Sequence, residues 1–171
     1  PSCGSLVLRE DDEADYRCIS LDCPAQSLER IIHWCSRGAM DIDGMGEEII
    51  ARLVDSGRVS DVADLYSLSQ TELSLLDTGR VNKDGNTITL GNTIATKLVN
   101  AIEESKSRAF YRVIFGLGIR HVGKTTAELL AQEFPSMEAL MSATEEELTR
   151  VNGVGQKMAH SIYLFLRTPD N

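Results

Sequence analysis

From residue 37 onward, apolar positions recur at helical spacing and are cut into short runs by glycine, with proline almost absent. Ile49, Ile50, Leu53 and Val54 make one stripe, which ends at the C-terminal cap signal Ser56-Gly57. Ile94, Leu98, Val99 and Ile102 make a second, and Val113, Ile114 and Leu117 a third. Ala127, Leu130, Ala131 and Phe134 follow and stop at Pro135, while Met158, Ala159, Ile162 and Leu166 form the last. Shorter capped segments are expected at 69–76, 136–141 and 144–151, the last opened by the capping-box string Thr144-Glu145-Glu146-Glu147. Nearer the start, Leu28, Ile31, Ile32 and Cys35 mark one more helix. Residues 6–9 and 15–18 read as a β-hairpin around an acidic tip. The expected class is mostly α: a small β-hairpin followed by an all-α part.

What precedes the longer helices carries more information. Asp43-Gly44-Met45-Gly46, Leu90-Gly91-Asn92, the string Gly118-Ile119-Arg120-His121-Val122-Gly123, and Asn152-Gly153-Val154-Gly155 each introduce one. A glycine turn with an apolar plug lets the chain reverse sharply between two helices. It leaves the first amides of the second helix facing outward, which suits an anion. That is the helix-hairpin-helix arrangement, which grips a nucleic-acid phosphate without reading bases. One such turn is an ordinary helix cap, but repetition changes its meaning. Gly118 and Gly153 lie 35 residues apart, and Gly44 and Gly91 lie 47 apart, a surplus of twelve. That surplus matches the polar stretch 78–89, where Asp84-Gly85 between Val81 and Ile88 signals a β-hairpin insertion. Two tandem pairs of helix-hairpin-helix units then account for 37–167.

Composition narrows the options further. With 42% hydrophobic and 25% charged residues among 171, the chain can build one domain or two small ones, and general disorder is excluded. No apolar run approaches the roughly 20 residues of a membrane span. No basic-then-apolar start suggests a signal peptide, and Pro1 with the polar ending Thr168-Pro169-Asp170-Asn171 reads as a piece of something longer. A net charge of −9 speaks against a broad basic footprint. The charge is uneven, however: residues 35–105 carry 6 basic and 12 acidic side chains, whereas 106–171 carry 8 and 7. The basic ones gather early in that second stretch, as Lys106, Arg108, Arg112, Arg120 and Lys124.

Three of the four cysteines, Cys3, Cys18 and Cys23, fall before residue 24, and the long remainder needs no disulfide scaffold. The hairpin would bring Cys18 back beside Cys3, which suits a zinc ribbon with thiolates in close pairs. Cys3 lacks its pair partner, which in a Cys-x2-Cys unit would stand just ahead of Pro1. Cys35 or His33 could complete the site instead, or the thiols could simply be buried. Cys35 itself reads best as a small apolar residue on a helix face, and His33 as a structural histidine.

These features come together in specific strings: Cys3-Gly4-Ser5, Arg17-Cys18, Cys23-Pro24-Ala25-Gln26, Ser36-Arg37-Gly38-Ala39-Met40 and Gly118-Ile119-Arg120-His121-Val122-Gly123. Over essentially the whole chain they resemble the C-terminal half of bacterial NAD-dependent DNA ligases. The resemblance implies a four-cysteine zinc finger at 1–36, with Cys3, Cys18 and Cys23 as three of its ligands, and a helix-hairpin-helix domain at 37–171. It implies a clamp on nicked double-stranded DNA through minor-groove and phosphate contacts at Gly44, Gly46, Gly91, Gly118, Arg120, His121, Gly123, Lys124, Thr125, Gly153, Gly155 and Lys157. The second hairpin keeps only Gly91. No catalytic residue is expected here, because that family's nucleotidyl lysine, its NAD and Mg²⁺ chemistry and its oligonucleotide-binding barrel lie upstream. Lys83-Asp84-Gly85 echoes the lysine motif but lacks its intervening residue and reads as a turn. The implied setting is a cytoplasmic, nucleoid-associated monomer that works with the rest of a ligase chain and no membrane. Two rivals stand beside it. A repair nuclease or junction-binding module would use the same hairpins, but the cysteine-bearing start speaks against it. A helical protein-interaction domain would use the glycines only as caps, and the acidic charge suits it.

Overall fold

A computed structural model of the chain describes residues 3–4, 7–9, 14–18 and 23–168. The expected ribbon is there: β1 (Val7–Leu8) pairs antiparallel with β2 (Arg17–Cys18), Val7 opposite Cys18. The Arg9 guanidinium lies over the Tyr16 ring, 5.5 Å from its centroid. Helix α1 (Pro24–Cys35) follows, with Cys23 as its N-cap and Pro24 in its first turn, where a missing N–H costs nothing.

Eight further helices follow among the described residues: α2 (Glu47–Asp55), α3 (Gln70–Ser74), α4 (Asn92–Ser105), α5 (Phe110–Gly116), α6 (Lys124–Glu133), α7 (Met137–Ser142), α8 (Glu145–Arg150) and α9 (Gln156–Arg167). A 3₁₀ turn at Asp64–Ser67 was not legible in the apolar pattern. It is built on side-chain bonds instead: the Asp64 carboxylate accepts from the Ser60 amide and hydroxyl, at 2.8 and 2.7 Å. Helix α2 stops where the glycine signal put its end. Gly57 has φ 70°, its amide donates to Val54 O, and Arg58 donates to Leu53 O.

The apolar stripes fill two cores. The first gathers Ile31, Trp34 and Cys35 of α1 with Ile50 and Leu53 of α2, Leu73 of α3, and Leu98 and Ile102 of α4. Helix α1, which the sequence groups with the ribbon, thus sinks its apolar face into the helical part. Cys35 is buried there, and burial pushes its thiol pKa up to about 12, so it behaves as the small apolar residue expected of it. The second core gathers Ile114 of α5, Leu130 of α6, Leu140 of α7, Leu148 of α8 and Ile162 of α9.

Helix α5 joins the two. Its start is clamped by Arg108, which donates to Met40 O and pairs with Asp41 at 3.3 Å, and by Arg112, which donates to Arg37 O and Ala39 O. At its other end His33 Nε2 bonds Phe115 O at 2.9 Å, and a Cβ on Gly116 would stand 2.9 Å from Trp34 Cε3. His33 is therefore structural. Within the first core, Trp34 Nε1 donates to the Tyr66 hydroxyl, which bonds the buried Ser105, which donates to Ile102 O. That chain satisfies every polar atom it buries.

Candidate nucleic-acid interface

Four helices begin on a glycine: α2 at Gly46, α4 at Gly91, α6 at Gly123 and α9 at Gly155. Their surroundings repeat closely. Each glycine carbonyl accepts from the amide four residues on, which belongs to Ile50, Ala95, Ala127 and Ala159. Those four residues, and Leu53, Leu98, Leu130 and Ile162 three positions later, are 0–1% exposed. A small or slender residue followed by a large one anchors each helix start against its core, so the glycine's position relative to the protein interior is fixed.

The turns leading into these glycines share a frame as well. Met45 donates to Ile42 O, Val122 to Ile119 O and Val154 to Val151 O, at 3.0–3.2 Å. All six residues are buried, as the plug of a helical hairpin should be. Two residues bridge each pair, and the second is left-handed: Gly44 at φ 82°, His121 at 67° and Gly153 at 79°. The register therefore differs from the one that glycine spacing suggested. His121, not Gly118, stands where Gly44 and Gly153 stand. Gly118, at φ 65°, ends α5, its amide bonding Phe115 O. The spacing apolar-x-x-apolar-Gly locates the turn in sequence better than glycine count alone.

The second hairpin departs from this frame. Leu90 donates to Leu76 O at 2.9 Å, closing the same turn, but thirteen residues, 77–89, replace the usual two. They form β3 (Asp77–Val81) and β4 (Thr87–Thr89), one position longer than the 78–89 insertion read from sequence. Gly91 also has a left-handed φ of 79°, unlike the other three caps.

How these helix starts are capped separates them from the helices that begin on serine or threonine, while α1 and α5, which begin on Cys23 and Ala109, also lack a side-chain cap. In α3, α7 and α8 the N-cap hydroxyls of Ser69, Ser136 and Thr144 accept from the amides of Glu72, Ala139 and Glu147. Hydrogen bonds from the Thr144 amide and hydroxyl hold the Glu147 carboxyl below the usual carboxylate range, and those from Ser69 do the same for Glu72. The four glycine starts have no side-chain cap. Yet the backbone would accept one: Gly155 has φ −81° and ψ 169°, and Thr144 has φ −81° and ψ 161°. A Cβ at Gly46, Gly123 or Gly155 would meet nothing within 4 Å. The interior thus gives no reason for glycine at these three places, where serine or threonine would satisfy an amide. Close approach of something from outside would supply one.

The charges beside these starts differ. Lys124 and Thr125 occupy the first turn of α6 and Gln156 and Lys157 that of α9, all exposed, with Arg120 half-buried in the turn before α6. Glu47 and Glu48 occupy the first turn of α2, and Asn92 and Thr93 that of α4. Of the basic residues expected to gather in this half, Lys106 pairs with Glu103 at 2.6 Å, and Arg108 and Arg112 are spent on the α5 clamp.

At the ribbon, Cys23 is buried and stands at the N-cap of α1. Cys3 is half-buried and the Cys18 side chain lies outside the described residues. By residue type Cys3, Cys18 and Cys23 suit Zn²⁺, but among the described residues no three His, Cys, Asp or Glu side chains come together as a metal site. Of the alternative ligands, Cys35 is buried in the first core and His33 Nε2 is bonded to Phe115 O.

Comparisons with known proteins agree with both ends of the chain. A family model for the NAD-dependent DNA ligase C4 zinc finger domain matches residues 1–25, and one for a helix-hairpin-helix motif matches 112–171. Across its full 171 residues the chain is 47% identical to a DNA ligase of Rubrobacter xylanophilus and 47% to one of Geobacter sulfurreducens. A DNA ligase of Acidobacterium capsulatum is 45% identical over the same span. The chain covers 23%, 24% and 24% of those relatives, about a quarter of their length. No helix among the described residues is long and apolar enough to cross a membrane. The chain is thus similar at its start to the NAD-dependent DNA ligase C4 zinc finger, toward its end to a helix-hairpin-helix motif, and over its whole length to about a quarter of several DNA ligases.

Proposed function

We propose that this region clamps nicked duplex DNA for a ligase that seals the nick, holding the backbone through helix-start amides without sequence preference. The carrying observation is the set of uncapped glycine starts at Gly46, Gly123 and Gly155, which have cap-competent backbone and open space where a Cβ would stand. Helix-start amides without a side-chain cap and the positive end of the helix dipole attract a phosphate, and glycine lets it come close. Lys124, Thr125 and Lys157 add charge and a hydroxyl beside the second pair of hairpins, with Arg120 and His121 in the turn itself. Gly44 and Gly153 shape the turns, Gly118 ends α5, and Gly91 holds the least regular start.

The work of such a clamp is orientation: it reduces the entropy cost of bringing nick ends and reacting groups together. Bond chemistry with NAD⁺ and Mg²⁺ belongs to other parts of the ligase. Incubated with labelled NAD⁺, this chain should acquire no covalent AMP. Zn²⁺, held through Cys3, Cys18 and Cys23, would supply folding energy to the ribbon and no reactive group.

Titration of nicked duplex DNA across salt concentrations tests the clamp. About four neutralised phosphates predict a log–log slope of roughly −3.6, nearly equal for unrelated sequences. Absent binding, or binding indifferent to salt, would reject it.

A further inference from the structure

The 77–89 hairpin is the one turn in which the shared frame is kept and the tip replaced. Leu76 and Leu90 close the turn as Ile42 and Met45 do. The added residues therefore leave from the place where, in the other hairpins, the chain passes straight into the glycine cap. The arm is ordered from base to tip. Thr78 Oγ1 donates to Ile88 O at 2.6 Å, and the Asp77 carboxylate accepts from the Gly79 amide. At the tip Asn82 Oδ1 accepts from the amides of Asp84 and Asn86, both at 2.9 Å, leaving Lys83 exposed on a fixed turn.

The arm also has a fixed direction. Gly79, at φ 72°, lies against the Arg52 guanidinium of α2, and Arg80 pairs with Glu48 at 3.2 Å. Arg80 thus places a cation in the first turn of α2, where the sequence itself offers only Glu47 and Glu48. That position is the counterpart of Lys157 in α9, two residues past the glycine.

We infer that the 77–89 arm is a DNA-contacting element, replacing the tip of the second hairpin with a rigid β-ribbon that presents Lys83 to the phosphate backbone while Arg80 offsets the acidic start of α2. This rests on the clamp proposed above. Protein docking is the competing occupant, and the register disfavours it. Arg80 faces Ile88 across the strands and Val81 faces Thr87, so the exposed Val81 and Ile88 lie on opposite faces and form no common apolar patch. The remaining Asn, Thr, Gly and Lys side chains suit a phosphate-lined groove.

A photo-reactive residue placed at Lys83, and separately at Lys124, distinguishes the possibilities with nicked duplex DNA. Crosslinks to DNA from both positions are expected, and Lys83→Ala should lower the salt slope by about one unit without changing the melting temperature. Crosslinks from position 124 but not 83 would overturn the arm and leave the clamp standing. Crosslinks from 83 to protein alone would assign the arm to protein docking and overturn it. None from either position, with no salt-dependent binding, would remove the clamp itself.

Discussion

The two halves of the helical part share one backbone plan and differ in what they present. Both anchor glycine-started helices with buried pairs at the same offsets, Ile50 and Leu53 in one half, Ala159 and Ile162 in the other. Yet the first half opens α2 with Glu47 and Glu48 and gives its second turn over to an arm, while the second opens its helices with Lys124 and with Gln156-Lys157. Space differs too. A Cβ at Gly44 would meet Leu98 at 3.2 Å, whereas none is obstructed at Gly153. Interior packing therefore sets where an amide stands, and the two or three residues around it set what that amide can hold. The net charge of −9 averages over this difference and conceals it.

Breaking the joint between the halves should have the largest effect. Gly116→Val would drive a branched side chain into Trp34 and Ala39 and cost about 1–3 kcal/mol, read as a lower melting temperature. An unchanged melt would mean that the halves are not packed through α5. Removing a side-chain cap should cost less. Ser69→Ala in the first half and Thr144→Ala in the second should each lose about 1 kcal/mol in denaturant titrations and leave DNA affinity alone.

Acid should act through the same caps. Hydrogen bonds to the ionised forms of Glu72, Glu147 and Asp64 hold their pKa values below the unfolded range, Asp64 mainly through the Ser60 amide. Their contribution is fully present above about pH 4 and is lost as pH falls through the lower folded values. Glu147→Gln should remove its share of that acid sensitivity while keeping the capping box. The smallest effect concerns charge at matched positions. Lys124→Ala should lower the salt slope of DNA binding by about one unit, and Glu47→Lys should raise it by about the same. Equal slopes for both variants and the parent would erase the electrostatic contrast between the halves.

Much of the architecture was written in the apolar spacing. The long helices, the Gly57 stop, the Thr144 capping box and both β-hairpins are where the pattern puts them, because each depends on residues near in sequence. The 3₁₀ turn at Asp64–Ser67 left no such mark, since carboxylate bonds hold it and no apolar stripe does. Nor did the two-core division, which depends on which stripes meet in space, or the capture of Arg108 and Arg112 by distant carbonyls. At the candidate interface, glycine strings found all four helix starts but misplaced the register of the third, because a histidine occupies a left-handed position usually given to glycine. Arg80 was invisible as a partner of α2: only the folded arm brings it to Glu48.

The account turns on glycine being kept at Gly123 and Gly155 for an outside partner and not for the fold. Serine at both positions puts the two demands in opposition. It fits the backbone, supplies the missing cap and should hold or slightly raise stability, by a few tenths of a kcal/mol per site. It also fills the space a phosphate needs. Melting temperature and nicked-duplex affinity of the Gly123→Ser, Gly155→Ser double variant should therefore move apart: a melt at or above the parent's, and binding weaker by tenfold or more, about 1.4 kcal/mol. A variant that melts like the parent and binds nicked DNA as tightly would contradict the clamp and leave these glycines as ordinary helix starts.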